Sequence, residues 1–250
     1  MEYICINSSG LVGYKTSSST MPFWKRVIDI TCSLIAMPVL GICALFMAIV
    51  TKLVSPGPLF FKQERIGFQG RRFKIYKFRT MYVSADTGVH QSYFKDLMQT
   101  NAPMTKLDAK GDSRLIPGGW LLRASGLDEL PQLINVLRGE MSLVGPRPCI
   151  PGEFEQYLPW QRERVNATPG LTGLWQVSGK NRTTFDEMIR LDIKYTRNIS
   201  PGQDIRIILS TTPALLQQIG DTLQKRKTSP SARPVQADSF QKQRATVSNR

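Results

Sequence analysis

Residues 30–50 read ITCSLIAMPVLGICALFMAIV, 21 residues without a charge. At helical rise this run reaches about 31 Å, enough to cross the hydrocarbon core of a bilayer. It begins too late and runs too long for a cleaved leader, and no small-residue cleavage site follows it. Basic residues flank both ends: Lys25 and Arg26 before, Lys52, Lys62 and Arg65 after. The positive-inside tendency keeps both flanks in the cytoplasm. Pro38, near the middle, lacks a backbone donor and crowds the preceding turn. A break there leaves two arms of roughly 15 to 18 Å, about one leaflet deep. Residues 23–53 are therefore expected to form a re-entrant helix–break–helix anchor. An ordinary span with a tolerated kink is the alternative.

Outside the apolar run the balance is basic, with 33 Lys and Arg against 19 Asp and Glu and a net charge of +14. Such an excess suits a polyanionic partner: nucleic acid, an anionic membrane face or phosphorylated substrates. With 41% apolar residues the chain can build a core. A single histidine, His90, rules out a multi-histidine metal site and argues against a His-based triad. Four scattered cysteines, Cys5, Cys32, Cys43 and Cys149, show neither zinc spacing nor a dense disulfide framework. Any catalysis must rest on carboxylates, Lys, Arg and a metal.

The pattern divides the chain into a flexible N-terminus (1–22), the anchor (23–53), a domain over 54–220 and a disordered basic tail (221–250). After the rigid Ser55-Pro56-Gly57-Pro58 turn, Leu59–Phe61 and Arg71–Arg79 read as strands around a turn at Gly67–Gly70. Ser84 to Asp112 is loop-like, with one short helix near Tyr93–Gln99. Helices are expected at Leu127–Leu137, Asp186–Tyr195 and Ile205–Ile219, the last interrupted at Pro213. The segment Arg71–Arg79 interleaves cations with aromatics. It suits an anionic lipid surface, a nucleic acid or merely a solvated strand face, and the neighbouring anchor favours lipid or phosphate.

In Leu127–Gly139, residues Leu130, Leu133, Ile134 and Leu137 form one apolar face, and Gly139 is a natural stop. Asp128 and Glu129 fall at the start of that helix. A capping Asp followed by an acid is a common way for a helix to begin. The same position favours an ionised, nucleophilic Asp128, supplies free amides for a phosphate, and puts two carboxylates together for a hard cation such as Mg²⁺. Next, Met141–Pro148 reads as a short strand ending in a stiff loop. Its two prolines flank Arg147 and ready it for phosphate, or leave it a surface arginine. The Gly-punctuated stretch Pro169–Arg182 offers further cations.

At these residues the chain resembles the bacterial sugar transferases, the monotopic phosphoglycosyl transferases. The likeness runs from about Phe23 to Gln218. It includes Lys25-Arg26 with Asp29, Pro58 to Arg65, Tyr76-Lys77-Phe78-Arg79-Thr80-Met81, Asp112 with Arg114, Leu127 to Leu133, Asn135 to Arg138, Met141 to Pro148, and Pro169 to Gln176. The resemblance implies an α/β fold: a small mixed cytoplasmic domain, a re-entrant N-terminal membrane helix and interfacial amphipathic helices. It implies Asp128 as nucleophile and Glu129 as its partner on Mg²⁺. Arg79, Arg114, Arg147, Lys180 and Asn181 become substrate-contact candidates. The implied reaction moves a sugar 1-phosphate from a UDP-sugar to a polyprenyl acceptor, usually undecaprenyl phosphate, and releases UMP. A covalent aspartyl intermediate would let two acceptors of different polarity use one site in turn. The implied setting is the cytoplasmic face of the bacterial inner membrane, with lipids as partners, no nucleic acid, and a homo-oligomer left open.

The short form, without a multi-span N-terminal domain, is similar to exopolysaccharide-initiating members. Gly126 stands where the family commonly has Ser, Met37 precedes Pro38 where Ser is frequent, and Lys180 replaces a usual Arg. The rival readings are a glycosyltransferase releasing UDP and a non-enzymatic basic membrane or nucleic-acid-binding protein.

Overall fold

The computed structural model describes residues 5–6, 12–13, 21–83, 114–179 and 183–228. The chain opens with a minimal antiparallel pair, β1 (Cys5–Ile6) and β2 (Val12–Gly13), and then α1 (Phe23–Val54). This 32-residue helix is long and apolar enough to cross a membrane. Contrary to the expected helix–break–helix, it is helical through Pro38. One lost backbone donor in a long helix is tolerated where the neighbouring turns remain intact.

Lys25, Asp29, Ser33, Leu40, Met47 and Thr51 of α1 are buried, at steps of four and seven residues, so a single stripe of the helix faces the domain. Leu34, Ile35, Ile42, Leu45 and Phe46 on the remaining surface are exposed.

Both ends of α1 rest on the same domain. At the start, Lys25 Nζ lies 2.5 Å from Asp204 Oδ2 and donates to the Val144 carbonyl at 2.8 Å. Tyr195 Oη donates to Asp204 Oδ1 at 2.7 Å, and burial pushes its phenol pKa well up. Asp29 Oδ1 accepts from Ser142 Oγ at 2.9 Å and from the Leu143 amide at 2.8 Å. A buried lysine is tolerable only with such a partnered set around it. At the far end Met47 packs in a cluster with Leu40, Phe78 and Ile116, with Leu59, Phe60, Leu130 and Ile134 against it.

The hairpin β3 (Phe60–Ile66) and β4 (Arg72–Phe78) pairs antiparallel, Phe60 opposite Phe78 and Ile66 opposite Arg72. It turns through a 3₁₀ turn at Phe68–Gly70, as the sequence predicts, with β3 longer than expected. Next come α2 (Gly119–Ser125), a 3₁₀ segment (Leu127–Gln132), α3 (Leu133–Arg138) and β5 (Ser142–Val144). Then follow α4 (Pro151–Glu155), a 3₁₀ turn at Gln161–Asn166, β6 (Gly170–Thr172) and α5 (Leu174–Val177). β5 and β6 pair in parallel.

α6 (Phe185–Arg197) carries a full capping box between Thr184 and Glu187, agreeing with the helix expected there. Its Phe185, Met188, Ile189 and Ile193 build the main core with Ile66, Cys149, Tyr157 and Trp175.

α7 (Pro201–Thr228) corrects two expectations: it continues through Pro213, and it extends past Asp221, where a tail was expected to begin. Gln218 Nε2 fastens it to α2 by donating to the Ala124 carbonyl at 2.6 Å. Ile205, Leu209, Leu216 and Leu223 remain exposed along it. The helix expected near Tyr93–Gln99, the loop Ser84–Asp112 and the remainder of the tail lie outside the described residues. The mixed α/β class holds, built from two-stranded pieces and helices.

Candidate active site

The expected helix Leu127–Leu137 is really two elements, a 3₁₀ segment and then α3, ending at Gly139 as predicted. Gly126 starts the first with φ 73°, a left-handed conformation that a side chain would strain. Its carbonyl accepts the Glu129 amide at 3.0 Å. Asp128 is not the cap, since Gly126 occupies that position. Asp128 is buried at 7% exposure, while the Glu129 side chain is 35% exposed.

Glu129 Oε1 lies 2.6 Å from Lys77 Nζ on β4. Asn135, fully buried, sets the register between the two elements. Its Oδ1 accepts the Tyr76 amide at 3.2 Å and its Nδ2 donates to the Lys74 carbonyl at 2.8 Å. A side-chain amide thus continues the ladder of β4 into α3. Strand alternation puts Lys77 on the same face of the hairpin as Arg65. Burial and the adjacent positive charge of Arg147 lower the Arg65 pKa to about 10, and Glu129 pulls it the other way. Arg65 therefore stands within electrostatic reach of Glu129 and of the Arg147 loop.

That loop, Gly145–Cys149, is tied down along its backbone. The Gly145 amide donates to the Thr172 carbonyl at 2.9 Å, and the Gly170 amide to the Pro146 carbonyl at 2.9 Å. Arg65 Nη1 donates to the Pro148 carbonyl at 2.9 Å, and the Ile66 amide to the Cys149 carbonyl at 2.8 Å. Gly145 and Gly170 are required by proximity: a Cβ on Gly170 would sit 2.0 Å from the Gly145 nitrogen. Above the loop, the Arg147 guanidinium lies 6.0 Å from the centre of the Trp175 ring, within cation–π range.

Of the expected substrate contacts, Arg79 has a different setting. Its Nε donates to the Pro58 carbonyl at 2.8 Å, its Nη1 to Ser55 Oγ at 2.8 Å, and its Nη2 to the Ser55 carbonyl. It holds the turn that leaves α1. Arg114 sits where Met81 and Leu115 bridge, its carbonyl accepting the Tyr82 amide at 2.9 Å. Lys180 and Asn181 lie outside the described residues.

In the sequence Lys77 and Arg65 stand in stretches that carry the family likeness, without a task of their own at the site, while Arg164 and Asp192 carry no mark. Only partners that are distant in sequence reveal these four. Among the described residues no cluster of three or more acids, histidines or cysteines forms a metal cage. The two adjacent carboxylates still fit Mg²⁺, which takes one or two carboxylates and completes its shell with water and substrate phosphates.

The family described as "Bacterial sugar transferase" matches residues 20–218. A relative named Galactosyl transferase CpsE, from Streptococcus agalactiae, is 40% identical over 83% of this chain and 47% of its own length. One named UDP-glucose:undecaprenyl-phosphate glucose-1-phosphate transferase, from Caulobacter vibrioides, is 39% identical over 77% of this chain and 69% of its own. Exopolysaccharide production protein ExoY of Sinorhizobium fredii is 36% identical over 76% of this chain and 84% of its own. The chain spans about half the length of the Streptococcus relative. An acidic pair whose Glu129 is held by a β4 lysine, a backbone-clamped arginine loop and these likenesses agree: the chain belongs to the bacterial sugar transferase family.

Proposed function

We propose that this transferase moves a sugar 1-phosphate from a UDP-sugar to undecaprenyl phosphate, as an opening step of exopolysaccharide or related glycan synthesis. The observation that carries the reading is the Asp128–Glu129 pair, with Glu129 held 2.6 Å from Lys77 on a segment docked over the hairpin. The name of the Caulobacter relative describes this kind of reaction, and that of the Sinorhizobium relative describes exopolysaccharide production.

In the first half-reaction an Asp128 carboxylate oxygen attacks the β-phosphorus of the donor. The bond from that phosphorus to the oxygen bridging the two phosphates breaks, and UMP leaves with its electron pair. In the second, an undecaprenyl phosphate oxygen attacks the same phosphorus, and the Asp128 carboxylate departs unchanged. Such transfers need positioning and charge neutralisation more than covalent assistance. Lys77 holds Glu129 in one orientation, and Arg147 meets the diphosphate. Asp128 and Glu129 would hold Mg²⁺, which when bound would offset the negative charge of the phosphates.

The acceptor is a membrane lipid, so the site must lie at a bilayer surface. Contact of both ends of α1 with one domain supports a same-side anchor, and the basic residues flanking the helix favour the cytoplasmic face of the inner membrane. The exposed Ile205, Leu209, Leu216 and Leu223 of α7 suit an interfacial helix.

The test is the nucleotide released when purified protein meets Mg²⁺, undecaprenyl phosphate and a panel of UDP-sugars. UMP, with transfer of the β-phosphate to the lipid, is the expected outcome and identifies the sugar. UDP would make the protein a glycosyltransferase instead.

A further inference from the structure

Beneath Arg147 lies a buried ionic assembly that none of the expected site residues includes. Arg164, on the 3₁₀ turn Gln161–Asn166, is 1% exposed. Its Nη2 donates to the Arg147 carbonyl at 2.9 Å and to Asp192 Oδ2. The same Asp192 oxygen accepts the Arg147 amide at 3.2 Å. Arg164 Nη1 donates to Tyr157 Oη at 2.7 Å and lies 3.6 Å from Glu153 Oε1. Burial works against the Arg164 charge, but Tyr157, Asp192 and Glu153 outweigh it and raise its pKa above the ordinary value.

The geometry is specific to one residue. A single ion pair takes both the amide and the carbonyl of Arg147. Pro146 and Pro148, on either side, have no N–H to offer and restrict the backbone further. A buried pair of opposite charges is weak evidence of stability for its own sake, because desolvation offsets most of the attraction. This pair instead fixes the origin of one side chain beside Trp175.

We propose that Arg164 and Asp192 are positioning residues that aim the Arg147 guanidinium at the diphosphate of the nucleotide-sugar donor. The proposal rests on the reading of Arg147 as a phosphate contact. Weakening the charge-assisted bonds that Asp192 makes to the Arg147 amide and to Arg164 frees the loop to tilt, so the donor should bind less well while binding of the lipid acceptor, engaged later, should be unchanged.

The experiment uses the full-length protein in detergent, with KM measured separately for UDP-sugar and undecaprenyl phosphate. Asp192→Asn keeps the size of the side chain and an oxygen acceptor but removes the charge. It is expected to raise the donor KM about tenfold, the loss of one charge-assisted bond, and to leave the acceptor KM unchanged. Arg147→Ala should raise the donor KM at least as much, and adding Asp192→Asn to it should cost nothing further. Arg164→Lys serves as the second probe should Asp192→Asn fail to fold. It should raise the donor KM and leave the acceptor KM unchanged, while the lost guanidinium bonds lower the melting temperature. Additive effects of Asp192→Asn and Arg147→Ala, or equal loss for both substrates, would overturn the positioning role and leave the transferase reading intact. An unchanged donor KM in Arg147→Ala would overturn the phosphate contact itself.

Discussion

Lys77 Nζ lies 2.6 Å from Glu129 Oε1, so the middle of a hairpin strand holds one member of the acidic pair across 52 residues of sequence. Both groups are only partly buried, at 23% and 35% exposure, so solvent screens the pair and its contribution to stability is small. Its value is orientation. Lys77→Met should lower the rate of UMP release by about tenfold or more, the loss of one charge-assisted contact. Melting should shift by no more than a few degrees. Wild-type turnover in Lys77→Met would mean that Glu129 needs no fixed orientation.

Asp128 should carry the phosphosugar. With donor labelled in the β-phosphate and no lipid acceptor present, label should remain on the wild-type protein and be released by hydroxylamine, as expected of an acyl phosphate. Asp128→Asn should take up none and still fold and associate with membranes, because an amide of equal size replaces the carboxylate. Label on the Asn variant would move the nucleophile elsewhere.

These two positions also mark how far the sequence could be read. Asp128 and Glu129 stood out because they are adjacent and begin an apolar repeat, a pattern written in consecutive residues. Lys77, Arg164 and Asp192 had no such local mark: each gains meaning from a partner 28 to 52 residues away. Arg79 shows the opposite case, standing in a basic motif while its donors turn to Ser55 and Pro58. The prolines misled for a physical reason. Pro38 and Pro213 each remove one hydrogen bond, but helices of 32 and 28 residues keep the bonds on either side and continue. Asn135 was legible as part of a motif, but its use as a substitute strand residue required the register of β4.

The glycines of the parallel β5–β6 junction should be irreplaceable. A Cβ on Gly145 would stand 2.2 Å from the Thr168 carbonyl oxygen, and on Gly170 2.0 Å from the Gly145 nitrogen. Both obstructions are backbone, which cannot swing aside. Gly145→Ala and Gly170→Ala should therefore abolish recovery of folded protein. Gly152→Ala is the control: it lies in α4, where the added methyl meets nothing within 4 Å beyond its chain neighbours and its own helix backbone, and helix propensity predicts a gain of up to about 1 kcal/mol. Folded, active Gly170→Ala would show that the two strands can separate without loss.

The two ends of α1 make the proposed membrane topology testable. Lys25 is bound to Asp204, and Ser55 to Arg79, with both partners in the same domain. A helix crossing the whole bilayer would have to separate these ends by about 30 Å of hydrocarbon, with one of the two ion-bearing junctions on the far side. Single cysteines at Met21 and Pro56, with Cys5, Cys32 and Cys43 replaced, should therefore react together. Both should resist a membrane-impermeant maleimide in intact cells and react in inverted vesicles. Cys149 can stay, because it is buried and burial pushes its thiol up to about 11, leaving little thiolate to react. Labelling of one position from each side would require α1 to leave one junction. Asp204→Asn, which weakens the Lys25 contact, should then leave activity unchanged. If both positions react from the same side, the same substitution should loosen the anchor and reduce turnover on the lipid acceptor.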